Sequence, residues 1–262
     1  MKYIIQFFLF IIRLLTGKLK AKPPVNAPTP EPTPPPVETE PTPVPEEKPK
    51  PYKPSPSIIT VQTALQGEIP DNVLIQMADI EKRFGEWSPL QWCHFFARGM
   101  AESGFKEVRE NMNYTATRLM KIWKNYFPTI EKAKEYERNP QKLANYVYGK
   151  RMGNKAPNDG WENRGVGYTG LTGKETIEDF LEWAGLPLDY DRDKLANEQP
   201  LLTAAWFYVV KKNVFKYAKD ATLISVRGVC IAVNGGLIGF DDQLRFFKRF
   251  WNKINAIEKQ VV

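Results

Sequence analysis

The strongest constraint on the fold of this chain is a proline-rich run between residues 23 and 56, which holds 15 of its 22 prolines. Proline has no backbone N–H and favours the extended polyproline II conformation, so such a run does not build a packed core. At about 3.1 Å per residue, it can reach roughly 100 Å. We interpret residues 23–56 as a disordered stalk and expect residues 57–262, enough for one core, to fold.

The segment before the stalk is apolar and basic. Tyr3–Leu15 reads YIIQFFLFIIRLL, which is shorter than the roughly 20 apolar residues of an ordinary spanning helix. No signal-peptide cleavage pattern follows it. The polar side chains fall near one helical stripe, at Lys2, Gln6, Arg13 and Lys20. Residues 1–22 therefore predict an uncleaved anchor that binds membrane lipid, either tilted or in the interface; a helix packed on the main domain is the alternative.

Charge and composition exclude several classes of protein. The net charge is +7, of which residues 1–22 carry +5 and the stalk −2, leaving +4 on the rest. This mild excess suits an anionic polymer or membrane surface, and no zinc finger or basic recognition helix predicts nucleic-acid binding. With one histidine, His94, and no phosphate-binding glycine loop, we expect no metal and no cofactor. Cys93 and Cys230 are interpreted as buried free thiols, although a disulfide between them remains open.

The remaining residues predict helices almost throughout. One helical pattern starts near Pro70 and ends at Gly85, and the next opens with Ser88 as N-cap before Pro89 and stops at Gly104. Further helices are expected at 115–124, 130–137, 140–148, 174–185, 198–212, 222–233 and 241–257. Because no run of residues alternates between apolar and polar side chains, the fold class is mainly α, in one domain.

Two features of this helical part indicate chemistry. Glu102 ends an apolar helix and Glu110 follows the turn after it, so the two carboxyl groups can form a catalytic pair. The glycine-rich, aromatic stretch Tyr148–Gly173 is longer than an ordinary connection, and such loops tend to be functional. Glycine lets backbone approach a ligand closely, and the aromatic rings of Tyr148, Trp161 and Tyr168 could stack on sugars. A lid with buried aromatic side chains is the alternative.

Five segments follow one another in the chain: Ala101–Phe105, Glu110–Ala116, Val147–Asn154, Asp159–Gly173 and Val233–Gly236. In this order they resemble glycoside hydrolase family 19, in the form found in phage lysozyme-like endolysins. The resemblance implies a lysozyme-like α-helical domain with a glycine-rich substrate loop. It also implies an inverting glycosidase that cleaves β-1,4 bonds, in which the two carboxyl groups lie roughly 6.5–9.5 Å apart.

The resemblance also implies roles for three residues. Glu102 is expected to be the acid, because the end of an apolar helix desolvates its carboxyl group and raises the pKa. Glu110, in a polar segment, is expected to stay ionised and act as base on a water held by Thr172. Glu107 is a rival for the role of base. His94 lies two helical turns before Glu102 and is interpreted as a packed or surface side chain.

The matched segments further imply a set of substrate-binding residues: Asn113, Tyr114, Tyr148, Arg151, Asn154, Trp161, Arg164, Tyr168 and Asn234. The chain departs from the family pattern in places. Ala101 replaces a histidine, Val166 an arginine and Gly170 a glutamine, while Thr176 falls near a position where plant members often have asparagine. One glycine fewer separates the two glutamates.

The resulting functional prediction is a membrane-anchored peptidoglycan hydrolase of a phage, used for lysis or wall penetration. Its catalytic head would face the cell wall, and its anchor would sit in a virion or host inner membrane. Chitinase activity of the same family is one alternative. A lytic transglycosylase is another, disfavoured because such enzymes use one glutamate. The alternative from a different class is a catalytically silent protein that attaches to the wall.

Overall fold

The computed structural model of this protein describes residues 52–106 and 108–261. The predicted lipid-binding segment, nearly all of the predicted stalk and the rival base Glu107 lie outside the described residues. From Pro54 onward the described residues belong to one compact unit. In that part of the chain, none of the helices combines the length and the apolar character needed to cross a membrane.

The described part of the chain folds into α-helices joined by turns, which confirms the mainly α prediction. The helices are α1 Pro56–Leu65, α2 Asp71–Leu74, α3 Met77–Phe84, α4 Pro89–Glu102, α5 Ala116–Ile122, α6 Ile130–Lys134, α7 Pro140–Tyr148, α8 Asp159–Glu162, α9 Lys174–Ala184, α10 Arg192–Glu198, α11 Pro200–Trp206, α12 Leu223–Asn234 and α13 Phe240–Val261. A π-helical turn, Phe207–Lys211, and a 3₁₀ turn, Val214–Lys216, connect α11 to α12. The β pairing seen in this region consists of isolated bridges.

Helix α1 is one of three helices that the sequence patterns missed, together with the short α8 and α10. Ser55 caps it by accepting a hydrogen bond from the backbone N–H of Ile58 at 3.2 Å, and the backbone N–H of Ser55 donates to Glu81 at 3.1 Å. Ile58, Val61 and Leu65 are fully buried. The Ser-Pro pair that starts this helix lies at the end of the proline-rich composition, which concealed its capping signal.

The core forms where α13 packs against α4 and, beside it, α1. Phe247, Phe250 and Ile254 of α13 are buried against this core, and Trp92 and Phe96 of α4 are fully buried. The long amphipathic helix thereby fixes the position of α4, which ends at a glutamate of the candidate site.

The two cysteines are free thiols, and both are buried. Cys93 Sγ lies 3.6 Å from the carbonyl oxygen of Phe247, and Cys230 Sγ lies 3.4 Å from that of Gly236. The free-thiol interpretation is therefore confirmed, and the disulfide alternative is wrong.

Deleting α1 should unfold the domain, whereas deleting the residues before it should not. We expect a chain that starts at Tyr52 to unfold at the temperature of the full chain. A chain that starts at Gly67 loses three fully buried aliphatic side chains, each worth about 1.5–3 kcal/mol, and should be unfolded or strongly destabilised. Thermal unfolding followed by circular dichroism measures both. Equal midpoints for all three chains would contradict the docking of α1.

Candidate active site

Glu102 lies in the last turn of α4, a helix that is fixed at both ends. At its start, Ser88 Oγ accepts a hydrogen bond from the backbone N–H of Gln91 at 3.2 Å, and the Gln91 side chain accepts one from the backbone N–H of Ser88 at 2.8 Å. This reciprocal capping satisfies two helix donors. Near its end, a Cβ on Gly99 would lie 2.1 Å from the Phe105 ring. Glycine at this position therefore lets Phe105 fold back against the helix.

The Glu102 carboxyl group is buried and paired with an arginine of the same helix. Its side chain forms an ion pair with the guanidinium of Arg98, one helical turn earlier, and the two residues are 4% and 1% exposed. Arg98 Nη1 also lies 3.1 Å from Gln243 Oε1, 3.3 Å from the carbonyl oxygen of Ile238 and 3.5 Å from Cys230 Sγ. Arg98 therefore ties the end of α4 to α12, α13 and the turn between them.

The Glu110 carboxyl group is held by two neutral hydrogen-bond donors. The hydroxyl of Tyr148 donates to Glu110 Oε1 at 2.7 Å, and the backbone N–H of Gly165 donates to Oε2 at 3.0 Å. The backbone N–H of Glu110 donates in turn to the carbonyl oxygen of Gly165 at 2.9 Å. Both carboxylate oxygens are thus occupied as acceptors, which is the arrangement that suits a base.

Burial raises the pKa of Glu110 to about 7, against the lowering effects of Tyr148, Gly165, Arg164 and Arg109. The residue is only 6% exposed. The sequence analysis expected a polar environment that keeps Glu110 ionised, whereas the structure buries this residue. A pKa near neutrality matches a general base, because proton transfer is most effective when the pKa lies near the operating pH.

The glycine-rich loop forms the platform beside Glu110. Val166 pairs in antiparallel bridges with Arg109 on one side and with Leu171 on the other. The backbone N–H of Gly167 donates to the carbonyl oxygen of Val108 at 2.8 Å. A Cβ on Gly167, where φ is +72°, would lie 1.9 Å from Thr203 Oγ1. This position therefore requires glycine, both for its backbone conformation and for space.

The same loop also contacts the Glu102 segment and carries the candidate threonine. Ser103 Oγ donates to the carbonyl oxygen of Tyr168 at 3.1 Å, and the Phe105 and Tyr168 rings meet edge to face at 5.3 Å. Thr172 is buried, and its hydroxyl donates to the carbonyl oxygen of Gly170 at 2.9 Å. One loop therefore joins Glu102, Glu110 and Thr172, the three candidate catalytic residues.

A network of arginines holds the start of this loop. Arg109 Nη1 donates to the carbonyl oxygen of Arg164 at 2.8 Å, and Nη2 donates to that of Glu162 at 3.0 Å. Asp193 Oδ1 lies 2.5 Å from Arg109 Nε and 3.6 Å from Arg164 Nη2. The two guanidinium groups thus stay close to Glu110, where each lowers its pKa, and they are neutralised by an exposed aspartate.

Several predicted substrate-binding residues are buried and make internal contacts. Asn154 Nδ2 donates to the carbonyl oxygen of Tyr148 at 2.8 Å, and Asn234 Nδ2 donates to that of Ile238 at 2.8 Å. Tyr148 and Tyr168 are 0% and 3% exposed, so the protein itself covers two of the rings that were predicted to stack on sugars. Tyr114 and Arg164 are also buried, Tyr114 edge to face with Trp123 and Arg164 over the Trp161 ring.

Three predicted substrate-binding residues keep exposed surface. Asn113 is exposed, and its Oδ1 lies 3.4 Å from Arg138 Nη1. Arg151 is half-buried and donates to the Tyr126 hydroxyl. Trp161 is also half-buried, with the guanidinium of Arg164 3.6 Å from the ring centre. Direct contact with a glycan stays a prediction for these three residues.

Arg98 and Gly165 are the main residues around the two glutamates that the sequence analysis missed. Arg98 precedes Glu102 by four residues, so the two side chains share a helix face, and this spacing could have identified the ion pair. Gly165 contacts Glu110 across 55 residues, and no local pattern in the sequence marks such a contact.

The arrangement provides the groups for acid–base chemistry on an oxygen-linked substrate. One buried carboxyl group faces an arginine, a second accepts from two neutral donors, and a hydroxyl lies on the loop that joins them. Such carboxyl groups can donate a proton to a leaving oxygen and take one from water. Within residues 52–106 and 108–261, no group of three or more His, Cys, Asp or Glu side chains is arranged to hold a metal ion.

Comparison with known proteins gives one informative relative. No protein-family model matches the chain. The glycosyl hydrolase family 19 domain-containing protein of Haemophilus influenzae is 34% identical to it over 175 residues. This alignment covers 65% of the chain and 83% of the relative, so it spans most of the relative's length.

Burial of Glu110 should make stability fall as the pH rises. The pKa of this group is about 7 in the folded chain and near 4.5 when unfolded. Protonated Glu110 therefore adds to the free energy of unfolding fully below pH 4.5, and this addition is lost by about pH 7. The difference is roughly 3 kcal/mol. Glu110→Gln cannot titrate and should lack this loss, whereas exposed Glu182→Gln should behave as the unmodified chain. Urea unfolding at pH 4.5 and 8 tests this; parallel pH dependence in all three proteins would refute it.

Proposed function

Since the chain belongs to glycoside hydrolase family 19, we propose that it hydrolyses β-1,4 glycosidic bonds of bacterial peptidoglycan by an inverting, two-carboxylate mechanism. The observation that carries the proposal is the environment of Glu110. A buried carboxylate with both oxygens accepting hydrogen bonds and a pKa of about 7 is suited to activating water near neutral pH.

In the proposed reaction, Glu102 donates its proton to the leaving glycosidic oxygen as the bond to the anomeric carbon breaks. A water attacks that carbon from the opposite face and gives its proton to Glu110. The Thr172 hydroxyl donates to Gly170, so its oxygen lone pairs can accept a hydrogen bond from this water. One water is consumed, and proton exchange with solvent restores both carboxyl groups.

Two arguments favour peptidoglycan over chitin as the substrate. The family segments in this chain resemble those of phage lysozyme-like endolysins. The +4 charge of residues 57–262 also suits an anionic wall polymer, and chitin carries no such charge. Chitinase activity is the second candidate, and comparison of the two polymers as substrates separates them.

The ion pair between Arg98 and Glu102 supports a different candidate, a catalytically silent protein that attaches to the wall. An arginine beside a carboxyl group favours the ionised form, which has no proton to donate. Binding to peptidoglycan without any release of soluble fragments would establish this candidate and reject the hydrolase.

The catalytic assignment predicts a graded loss of activity. Glu102→Gln and Glu110→Gln should each lower kcat for release of soluble glycan from purified peptidoglycan by about 100- to 10,000-fold, because each removes a proton-transfer group. Thr172→Ala should lose less, because the water keeps its contact with Glu110. Glu182→Gln, an exposed change on α9, serves as the control. Normal clearing of peptidoglycan by folded Glu102→Gln would reject the assignment.

We further propose that residues 1–22 hold the domain at a membrane so that it works on adjacent wall, in a virion or in a host cell. The support is the apolar and basic sequence followed by a long proline-rich segment. The full chain should float with anionic lipid vesicles, and a chain that starts at Tyr52 should not. Loss of flotation in high salt would indicate an interfacial mode of binding through the lysines. Equal flotation of both chains, or of neither, would reject the tether.

A further inference from the structure

The ion pair between Arg98 and Glu102 raises a question about the proposed proton donor. Arg98 is fully enclosed, and Glu102 is the only charged group among its described contacts. Its other contacts are the neutral Gln243 side chain, the Ile238 carbonyl oxygen and Cys230 Sγ. A buried guanidinium without acceptors would be strongly destabilising. These three neutral contacts are all made by Nη1, so this nitrogen keeps its acceptors when Glu102 takes up a proton.

The surroundings of Glu102 leave Arg98 as the dominant electrostatic influence. The described side chains that line the small cavity beside Glu102 include Arg98, Tyr168, Thr169 and Tyr208. Burial raises the pKa values of Tyr168 and Tyr208, and also that of Cys230, which contacts Arg98. All three side chains are therefore neutral at working pH. Arg98 is therefore the only permanent charge that faces Glu102 among these described groups.

We propose that Arg98 is the positioning residue of the proton donor: it anchors one carboxyl oxygen of Glu102 and stabilises the carboxylate that proton donation leaves behind. This inference rests on the proposed function. As the leaving oxygen takes the proton, the O–H bonding pair stays on Glu102, and the adjacent guanidinium stabilises that new charge. Such stabilisation grows as the charge develops, so it lowers the barrier to proton transfer.

The same contact keeps Glu102 a stronger acid than burial alone would make it. A nearby opposite charge lowers a carboxyl pKa by about 1–3 units. Removal of the charge of Arg98 should therefore raise the pKa of Glu102 and move the activity profile toward higher pH. It should also lower kcat, because a weaker acid donates its proton less readily to the leaving oxygen. A merely structural arginine would affect folding or kcat without moving the pH profile.

The test measures the pKa of Glu102 and the pH dependence of kcat/KM on peptidoglycan in the full chain. Carbon-13 labelled glutamate reports the carboxyl group by NMR, and Glu102→Gln assigns its signal. Arg98→Gln should raise the pKa of Glu102 by at least about one unit, shift the pH profile upward and lower kcat about tenfold or more. Arg98→Lys keeps the charge and should restore the pKa to near its original value.

A second variant covers the case in which Arg98→Gln does not fold. Gln243→Glu introduces a carboxylate where the present side chain lies 3.1 Å from Arg98 Nη1. The added negative charge offsets the positive charge of Arg98 at Glu102. This variant should therefore also raise the pKa of Glu102 while Arg98 remains in place. Arg249→Gln removes a different arginine of α13, one that pairs with Glu68, and should leave the pKa of Glu102 and the pH profile unchanged.

The outcomes separate this inference from the proposed function. An unchanged pKa of Glu102 in folded Arg98→Gln, or in Gln243→Glu when the first variant is unfolded, overturns the positioning role. A raised pKa of Glu102, together with no cleavage of glycan by the unmodified chain, confirms the electrostatic contact. It rejects the proposed hydrolase function and, with it, the role of Arg98 in proton donation. A raised pKa with an upward shift of the pH profile supports both.

Discussion

The paired contacts between Glu110 and Gly165 are the interaction on which the candidate site depends. The carboxylate accepts the Gly165 N–H, while the Glu110 N–H donates to the Gly165 carbonyl oxygen. These contacts fasten the glycine-rich loop to the segment after α4. Because the loop also accepts a hydrogen bond from Ser103, next to Glu102, one piece of backbone contacts both segments that carry the glutamates. The helical periodicity of the sequence alone does not predict that this loop contacts both the end of α4 and the segment that carries Glu110.

The two carboxyl groups lie in different environments although both are buried. Glu102 faces a permanent positive charge, whereas Glu110 accepts hydrogen bonds from a tyrosine and a peptide group. Glycosidases of this type need one carboxyl group as acid and one as base, and different surroundings are the physical means of separating those roles. In the proposed reaction, burial makes Glu110 a stronger base toward water, and Arg98 stabilises the Glu102 carboxylate after proton donation.

Local features of the fold were predictable from the sequence, whereas most contacts of the site were not. Ser88, Pro89 and Gly104 act within a few residues, so helix α4 and its glutamate could be placed from local rules. The expected helix at 198–212 instead begins at Pro200 and changes to a π-helical turn at Phe207, because tertiary packing overrides periodicity at its end. Burial of Glu110 depends on Tyr148 and Gly165, which are distant in sequence, and a polar local composition gave the wrong environment.

Hydrolysis in water enriched in oxygen-18 tests the central claim most directly. If Glu110 activates a water and Glu102 protonates the leaving oxygen, each cleaved bond places one oxygen-18 atom at the new reducing end, initially in the inverted α configuration. Mass spectrometry and NMR of peptidoglycan fragments read both properties. A 1,6-anhydro end without oxygen-18, as a transglycosylase leaves, would contradict the account, and so would a labelled end that first forms with retained β configuration.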